Sequence, residues 1–289
     1  MDSLVNDIKN IIFKYRYNYI EIPTYSIKRI HNLLVNNVSF EPLNDIEMIY
    51  VGMYYQEIEK NYDLMKKYFL IAIDKGNLTA MYNLGVYYDE IEKNYDQMKK
   101  YYLMAIYKGD SEATYNLGFY YQTIEKNDDL MKKYYLMAID KDNSHAMNNL
   151  GFYYEVIEKD YDQMKKYYLM AIDKGYSDAM NDLGWYYKNV EKDYDLMKRY
   201  YLMAIDKDHS EAMNNLGLYY EDIEKYDLMK KYFLMAIDKD HSGAMFNLGL
   251  YYKEIEKDYA KMKKYFLIAI GKGHWLAMYH IVQYYEIHN

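Results

Sequence analysis

Residues 146–178 read AMNNLGFYYEVIEKDYDQMKKYYLMAIDKGYSD, and close variants of this stretch fill most of the 289-residue chain. The fragment L-G-x-Y-Y returns with a spacing of 33 residues, except for one spacing of 32. Self-similarity at a fixed period of this size is typical of proteins built from stacked structural repeats. With position 1 set five residues before the repeated glycine, the units are 47–79, 80–112, 113–145, 146–178, 179–211, 212–243 and 244–276, followed by a half repeat at 277–289.

Each unit shows two runs of helical periodicity separated by a short polar stretch. In 146–178, apolar residues at positions 1, 5, 8, 9 and 12 share one helical face, and those at positions 19, 22, 23, 26 and 27 share another. The 32-residue unit lost its residue between Lys225 and Tyr226, which marks the turn, because deletions are best tolerated there. A single helical hairpin cannot bury both of its faces, so neighbouring hairpins must stack. The sequence therefore predicts an all-α protein, a right-handed α/α superhelix (solenoid) of about seven and a half 33-residue helix-turn-helix repeats.

Short polar side chains and glycines predict where these helices begin and end. Asp162 and its equivalents are expected to cap the second helix, and serines such as Ser177 are expected to cap the next first helix. A residue in left-handed backbone is expected to end the second helix. The residues at that place are Gly76, Gly109, Gly175 and Gly273, with Asp142, Asp208 and Asp240 in other units. The glycine at position 6, such as Gly151, lies in mid-helix and predicts close contact with the facing helix.

Composition excludes several functional classes. The chain has 36 basic and 44 acidic residues, a net charge of −8, and no cysteine. It therefore has no thiolate zinc site or cysteine nucleophile, and it lacks the concentrated positive field of a nucleic-acid-binding protein. The repeat places no paired carboxylates, Ser–His pair or metal-ligand spacing, so we expect no enzymatic activity, no metal and no cofactor. No apolar run approaches the ~20 residues of a membrane span, and the expected location is the cytoplasm.

Residues 1–46 do not follow the repeat and are expected to form a helical N-terminal cap on the first unit. Helices are predicted from Asp2 or Ser3 to Tyr15 and from Tyr25 to Val35. The stretch Leu4–Tyr15, LVNDIKNIIFKY, resembles the start of an F-box. That resemblance implies a ubiquitin-ligase adaptor as one alternative function.

The string A-M-x-N-L-G-x-Y-Y…I-E-K-D-Y-D-x-M-K-K-Y-Y-L-M-A-I-D-K-G-x-S resembles the Sel-1-like repeat (SLR), a relative of the tetratricopeptide repeat (TPR). The resemblance covers residues 47–289 and implies a scaffold or adaptor that acts through protein–protein interaction. The unit departs from the family pattern in two ways: it lacks a glycine-containing loop between the helices, and it has Met where Ala is usual at position 19. Repeat arrays rich in Tyr, Asn, Lys and Ile also resemble those encoded by large amoeba-infecting DNA viruses, which implies a viral protein in a host cytoplasm.

One face of the first helix is the candidate binding surface. Positions 3, 7 and 10 differ between units although the core positions hardly change, and their spacing puts them on one helical face. By resemblance to TPR arrays, this face lines the concave groove, and the partner is a protein or peptide. The candidate residues are Tyr82, Val86, Asp89, Tyr115, Phe119, Gln122, Asn148, Phe152, Glu155, Asn181, Trp185, Lys188, Asn214, Leu218, Glu221, Phe246, Leu250 and Lys253. Phe152 and Trp185 are expected to anchor an extended or helical segment, because aromatic anchors with a polar surround are typical of hot spots. The alternative is that position 7 packs against the neighbouring first helix and belongs to the core.

Three further patterns have structural interpretations. At position 4, Asn83, Asn116, Asn149, Asn215 and Asn247, with Asp182, are expected to bond between neighbouring repeats, although they could instead grip a peptide backbone. Histidines such as His209 and His241 are expected to be solvated in loops. Position 25 holds Met104, Met137, Met170, Met203 and Met235, which either cover the seam between units or form a convex patch. Such a patch implies self-association, so a structural or self-assembling protein is a further alternative.

Overall fold

The computed structural model describes residues 43–288, and these contain fifteen α-helices and no β-strand. The helices are α1 Asp45–Glu57, α2 Tyr62–Asp74, α3 Leu78–Glu90, α4 Tyr95–Tyr107, α5 Ser111–Tyr120, α6 Asp128–Ile139, α7 Ser144–Tyr153, α8 Tyr161–Asp173, α9 Ser177–Tyr186, α10 Tyr194–Ile205, α11 Ser210–Asp222, α12 Tyr226–Asp238, α13 Ser242–Glu254, α14 Tyr259–Gly271 and α15 Trp275–His288. The helices expected before residue 43, and with them the F-box-like segment, lie outside the described residues.

Within each of two compact units, the helices pair into hairpins that stack on their neighbours along the chain. The residues fall into two compact units, an N-terminal unit that ends at Asn143 and a C-terminal unit that begins at Ser144. Each hairpin begins two residues before the boundary drawn from the sequence, since Ser144 and Ser177 are already the first helical residues of α7 and α9. The predicted all-α superhelix of helical repeats is confirmed.

The mid-helix glycine allows an aromatic ring to lie against the helix backbone. A Cβ atom added to Gly151 would lie 2.6 Å from Cδ1 of Tyr168, and one added to Gly184 would lie 2.7 Å from Cδ1 of Tyr201. Both distances are far below van der Waals contact, so no larger residue fits without movement of the ring. The same relation joins Gly52, Gly85, Gly118, Gly217 and Gly249 to the aromatic residue at position 23 of their own hairpins. The predicted close contact is therefore confirmed, and a side-chain ring makes it.

Tyrosine pairs hold the two helices of each hairpin together and join one hairpin to the next. Within a hairpin, Tyr187 of the first helix stacks on Tyr200 of the second, with 5.5 Å between ring centroids and 2° between planes. Between hairpins, Tyr161 at the start of α8 packs against Tyr186 near the end of α9 at 5.2 Å. Offset aromatic pairs at these distances contribute roughly 0.5–1.5 kcal/mol beyond their buried area. The abundance of tyrosine in this chain thus has a structural role.

The helix caps differ from those predicted. The second helix α8 is capped by Asp160, whose carboxylate accepts from Gln163 N at 3.0 Å, and the predicted cap Asp162 lies inside its first turn. Three first helices are capped by the side chain one residue before the predicted serine, at Asp110, His209 and His241, whereas Tyr176 before Ser177 makes no side-chain cap. At α11 the cap is His209, whose Nδ1 accepts from Ala212 N at 3.1 Å. The predictions failed because the capping side chain must reach the N–H three residues ahead, whereas each serine is already helical.

The histidine prediction was also wrong. The Nε2 atom of His209 lies 2.9 Å from Oδ1 of Asp178 in the preceding hairpin, and His241 repeats the arrangement with Glu211 at 2.8 Å. Because Nδ1 accepts a hydrogen bond from a backbone N–H, the proton of the neutral ring is on Nε2, which donates a hydrogen bond to the carboxylate. Each histidine therefore caps its own helix and binds the neighbouring hairpin.

Left-handed residues end the second helices as predicted. Gly175 has φ of 79°, and Asp208 has φ of 62° at the equivalent place. A second left-handed position in the turn within each hairpin was not predicted; Lys159 and Lys192 occupy it with φ of 55° and 59°. Lysine has no special preference for left-handed backbone, so a lysine in the sequence does not predict this turn geometry.

Candidate binding surface on the first helices

The position-7 side chains of three consecutive repeats lie at the surface. Phe152 and Trp185 in the C-terminal unit are 49% and 48% exposed, and Phe119 in the N-terminal unit is 45% exposed. Val86, Leu218 and Leu250 at the same position are only partly exposed. These three aromatic residues are therefore not core residues, in contrast to the alternative drawn from the sequence.

The other candidate residues are divided between the surface and the layer beneath it. The position-10 residues and the aromatic residues at position 3 are partly exposed; they are Tyr82, Asp89, Tyr115, Gln122, Glu155, Lys188, Glu221, Phe246 and Lys253. Asn148, Asn181 and Asn214 at position 3 are buried. The asparagines thus support this face from below, and the aromatic and charged residues form its outer surface.

The first helices α5, α7 and α9 end in a π-helical turn, at Tyr121–Glu125, Tyr154–Glu158 and Tyr187–Glu191. These are the same three repeats that expose an aromatic residue at position 7. In two of them a side chain donates to a carbonyl group of the last helical turn: Thr123 Oγ1 to Phe119 O at 2.8 Å, and Asn189 Nδ2 to Trp185 O at 2.9 Å. Single π-helical turns are frequent at functional sites. The sequence carried a signal for them: position 11 is Thr123, Val156 or Asn189 in these repeats and acidic in the other four full repeats.

The predicted asparagine ladder joins neighbouring hairpins. Asn215 Nδ2 donates to Asn181 Oδ1 at 3.0 Å, and Asn247 Nδ2 donates to Asn214 Oδ1 at 3.0 Å. In each case the position-4 amide of one repeat pairs with the position-3 amide of the repeat before it. Bonds of this kind satisfy polar groups that burial would otherwise leave without water. The interpretation as a ladder between repeats is confirmed for these residues.

Asp182 interrupts this ladder. A carboxylate has no N–H to donate, so Asn148 instead turns its Nδ2 toward Asp182 Oδ2 at 3.4 Å. The Oδ1 atom of Asn148 is then buried without a hydrogen-bond partner. Burial raises the pKa of Asp182 from 3.8 to about 6, and the nearby charges of Glu155 and Asp178 act in the same direction. The ladder therefore has one position where acceptors outnumber donors.

Two tyrosines and a glutamate complete what we call the Asp182 cluster, which consists of Asn148, Glu155, Tyr168, Asp182 and Tyr201. Tyr168 donates its hydroxyl to Glu155 Oε2 at 2.7 Å, and burial raises the pKa of Glu155. Burial and the charges of Glu211 and Asp182 raise the pKa of Tyr201. The hydroxyl of Tyr201 is fully buried and has no hydrogen-bond partner. Tyr201 lacks the partner that Tyr168 has because position 10 of its repeat is Lys188, whereas position 10 of the preceding repeat is the acceptor Glu155.

Lys188 does not neutralise the Asp182 cluster. Its ammonium group lies 3.0 Å from Asp222 Oδ2 at the end of α11. Asp182 itself forms no ion pair with any residue in the part of the chain that the structure describes. The cluster thus holds two partly buried carboxyl groups together with the unpartnered oxygens of Asn148 and Tyr201.

The second helices present a different surface. Leucine at position 24 is exposed in every repeat, and the residues are Leu70, Leu103, Leu136, Leu169, Leu202, Leu234 and Leu267. The methionines at position 25, which the sequence pointed to, are only partly exposed. The apolar character of the second-helix surface therefore comes mainly from the residue that precedes each methionine.

Residues 43–288 contain no group of three or more histidine or acidic side chains placed to hold a metal ion. Within the same residues, every helix is too short or too polar to cross a membrane.

Comparisons with known proteins bear on the fold. No protein-family model matches the sequence, and no curated protein is significantly similar to it. Among solved structures, a Sel1 repeat protein from Oxalobacter formigenes is 25% identical, with a TM-score of 0.61 over 77% of this chain and 96% of that one. A protective antigen of uropathogenic Escherichia coli with an SLR fold is 18% identical, with a TM-score of 0.60 over 96% of this chain. The present chain spans only 62% of the length of that antigen. The chain therefore has the helical-repeat fold seen in Sel1 repeat proteins.

Proposed function

We propose that this protein is a non-catalytic scaffold of the Sel-1-like repeat type that binds a protein or peptide segment along the first-helix face of its C-terminal unit. The observation that carries the proposal is the exposure of Phe152 and Trp185 on neighbouring repeats. Their exposed area is apolar surface that a partner can remove from water, at roughly 25 cal/mol per Å². Charged and amide groups surround the two rings, which is the composition of an interface hot spot.

The arrangement suits an extended or helical segment. Position 7 advances by one repeat between Phe152 and Trp185, so the two rings form successive contact points along one face of stacked helices. Side-chain hydrogen bonds of the buried Asn181 and Asn214 join the repeat of Trp185 to the two repeats that follow it. A rigid support of this kind reduces the entropy that is lost on binding.

A selection from a displayed library of random 12-residue peptides supplies the ligand for the test. We expect the double variant Phe152→Ala, Trp185→Ala to lose at least about 100-fold in affinity for a selected peptide, since each hot-spot aromatic contributes ~2 kcal/mol or more. The melting temperature should change little, because both side chains are half exposed. Leu169→Ala is the matched control: it removes a 41% exposed apolar side chain from the second-helix surface of the same unit. Equal binding by all three proteins would refute the proposed surface, and a large loss of stability in the double variant would show that the rings belong to the core.

A second candidate function is self-assembly through the second-helix surface. The exposed leucine row supports it, because contiguous apolar patches often mark interaction sites. Sedimentation velocity at micromolar to millimolar concentration tests this candidate. Concentration-dependent association that Leu169→Lys and Leu202→Lys abolish would favour self-assembly, whereas a monomer throughout would exclude it.

A further inference from the structure

We propose that the Asp182 cluster receives a lysine or arginine side chain of the bound segment. The inference rests on the proposed binding of a segment along the first-helix face, and it adds the chemistry of that segment. Asn148, Glu155, Asp182 and Tyr201 are the residues that would hold the cationic group.

Hydrogen-bond acceptors outnumber donors around Asp182. In the ladder, a position-4 asparagine supplies the donor that its partner at position 3 needs, as Asn215 does for Asn181 and Asn247 does for Asn214. Asp182 removes that donor and adds a carboxylate, so the buried Oδ1 of Asn148 has no partner. Asn148 is itself only 8% exposed, and an unsatisfied acceptor at this depth is destabilising. A ligand that brings several N–H donors corrects this deficit, and ammonium and guanidinium groups bring three and five.

The Asp182 cluster also has an acidic environment. Asp182 lies near Glu155 and Asp178, and Tyr201 experiences the charges of Asp182 and Glu211. Nearby acidic groups repel one another, and Lys188 is engaged with Asp222. A cation from outside the chain would therefore find an electrostatic field that this unit does not neutralise. Charge-assisted hydrogen bonds of this type are roughly twice as strong as neutral ones.

The two exposed rings lie close to the cluster along their helices. Phe152 follows Asn148 by four residues, and Trp185 follows Asp182 by three, so each ring lies one turn from the cluster on its own helix. The long apolar stem of lysine or arginine can pack on these rings while its charged end reaches the carboxylates. Aromatic faces also attract cations directly. The same surface therefore offers contacts for both parts of the side chain.

The test compares the wild-type protein with Asp182→Asn in the random-peptide selection. Asparagine is the residue of other repeats at this position, so the variant restores the ladder and should remain folded by circular dichroism. Asp162→Asn is the matched control, since it removes the same charge from an exposed site in the first turn of α8. We expect the wild type and the control to select peptides rich in arginine or lysine, and Asp182→Asn to lose that preference.

One selected arginine peptide and its citrulline analogue, which has the same shape without the charge, then give a double-mutant cycle. We expect each single change to weaken binding about tenfold or more, and the two together to cost little more than one. Peptides without basic residues that still require Phe152 and Trp185 would overturn this inference and leave the proposed function standing. Equal binding of the arginine peptide to Asp182→Asn and the wild type would also overturn it. If no peptide is selected, both proposals fail.

Discussion

The stability of Asp182→Asn is the prediction that the structure defines most sharply. The pKa of Asp182 is raised from 3.8 to about 6 in the folded protein, chiefly by burial. At ~1.4 kcal/mol per pH unit, this rise corresponds to about 3 kcal/mol of lost stability when the group is ionised. The asparagine variant avoids this cost, and its Nδ2 can donate to Asn148 Oδ1 as Asn215 does to Asn181.

The sign of the pH dependence follows from linkage. Between pH 3.8 and about 6 the folded protein holds a proton at Asp182 that the unfolded chain has released. The free energy of unfolding of the wild type therefore falls as pH rises through this window. Its difference from that of Asp182→Asn reaches its full size above about pH 6. We expect the variant to be more stable by up to about 3 kcal/mol at pH 7.5, with a clearly smaller difference at pH 4.

The assay is urea unfolding followed by far-UV circular dichroism at pH 4, 5, 6 and 7.5. Asp162→Asn serves as the control, and as an exposed substitution it should change stability by no more than about 0.5 kcal/mol. An Asp182→Asn protein no more stable than the wild type at pH 7.5 would refute the reasoning. A gain that is the same at every pH would show that hydrogen bonding, and not ionisation of Asp182, is its source.

Three further predictions use the same assay at neutral pH. Gly151→Val should cost ~1–3 kcal/mol, because the added side chain overlaps the ring of Tyr168, and an unchanged unfolding curve would show that the ring is free to move. Tyr168→Phe should cost about 1 kcal/mol through loss of its hydrogen bond, whereas Tyr201→Phe should be neutral or slightly stabilising because its hydroxyl has no partner. Equal costs for the two tyrosines would contradict the hydrogen-bond assignment. Asp160→Ala should cost about 1 kcal/mol as a lost helix cap, and Asp162→Ala should cost less than half of that; the reverse order would restore the cap predicted from the sequence.

The repeat period explains why the fold was predictable from the sequence. Every core position recurs several times within one chain, so helical periodicity and turn position can be inferred from comparison of the repeats with each other. The glycine at position 6 illustrates this: one mid-helix glycine is ambiguous, but its recurrence opposite a large ring indicates close packing. The same comparison indicates the face of Phe152 and Trp185, because its positions differ between repeats whereas the core positions hardly change.

The features missed depend on local geometry that residue types do not encode. A capping side chain must reach the N–H three residues ahead. The observed caps His209 and Asp160 lie one and two residues before the predicted ones, and a list of favoured capping residues does not resolve so small a shift. Asp182 looked like a conservative member of the asparagine series. Its importance became visible only when the partner of each amide was known, since the change from Asn to Asp removes a donor while it hardly alters size.

The central claim is that Trp185 lies on a surface that binds a segment. The chain has only two tryptophans, so the Trp275→Phe background isolates the fluorescence of Trp185. Acrylamide quenching of that fluorescence, measured with and without a selected peptide, tests the claim most directly. The account predicts efficient quenching in the free protein and strong protection when the peptide is bound. Quenching that stays the same at saturating peptide would contradict it.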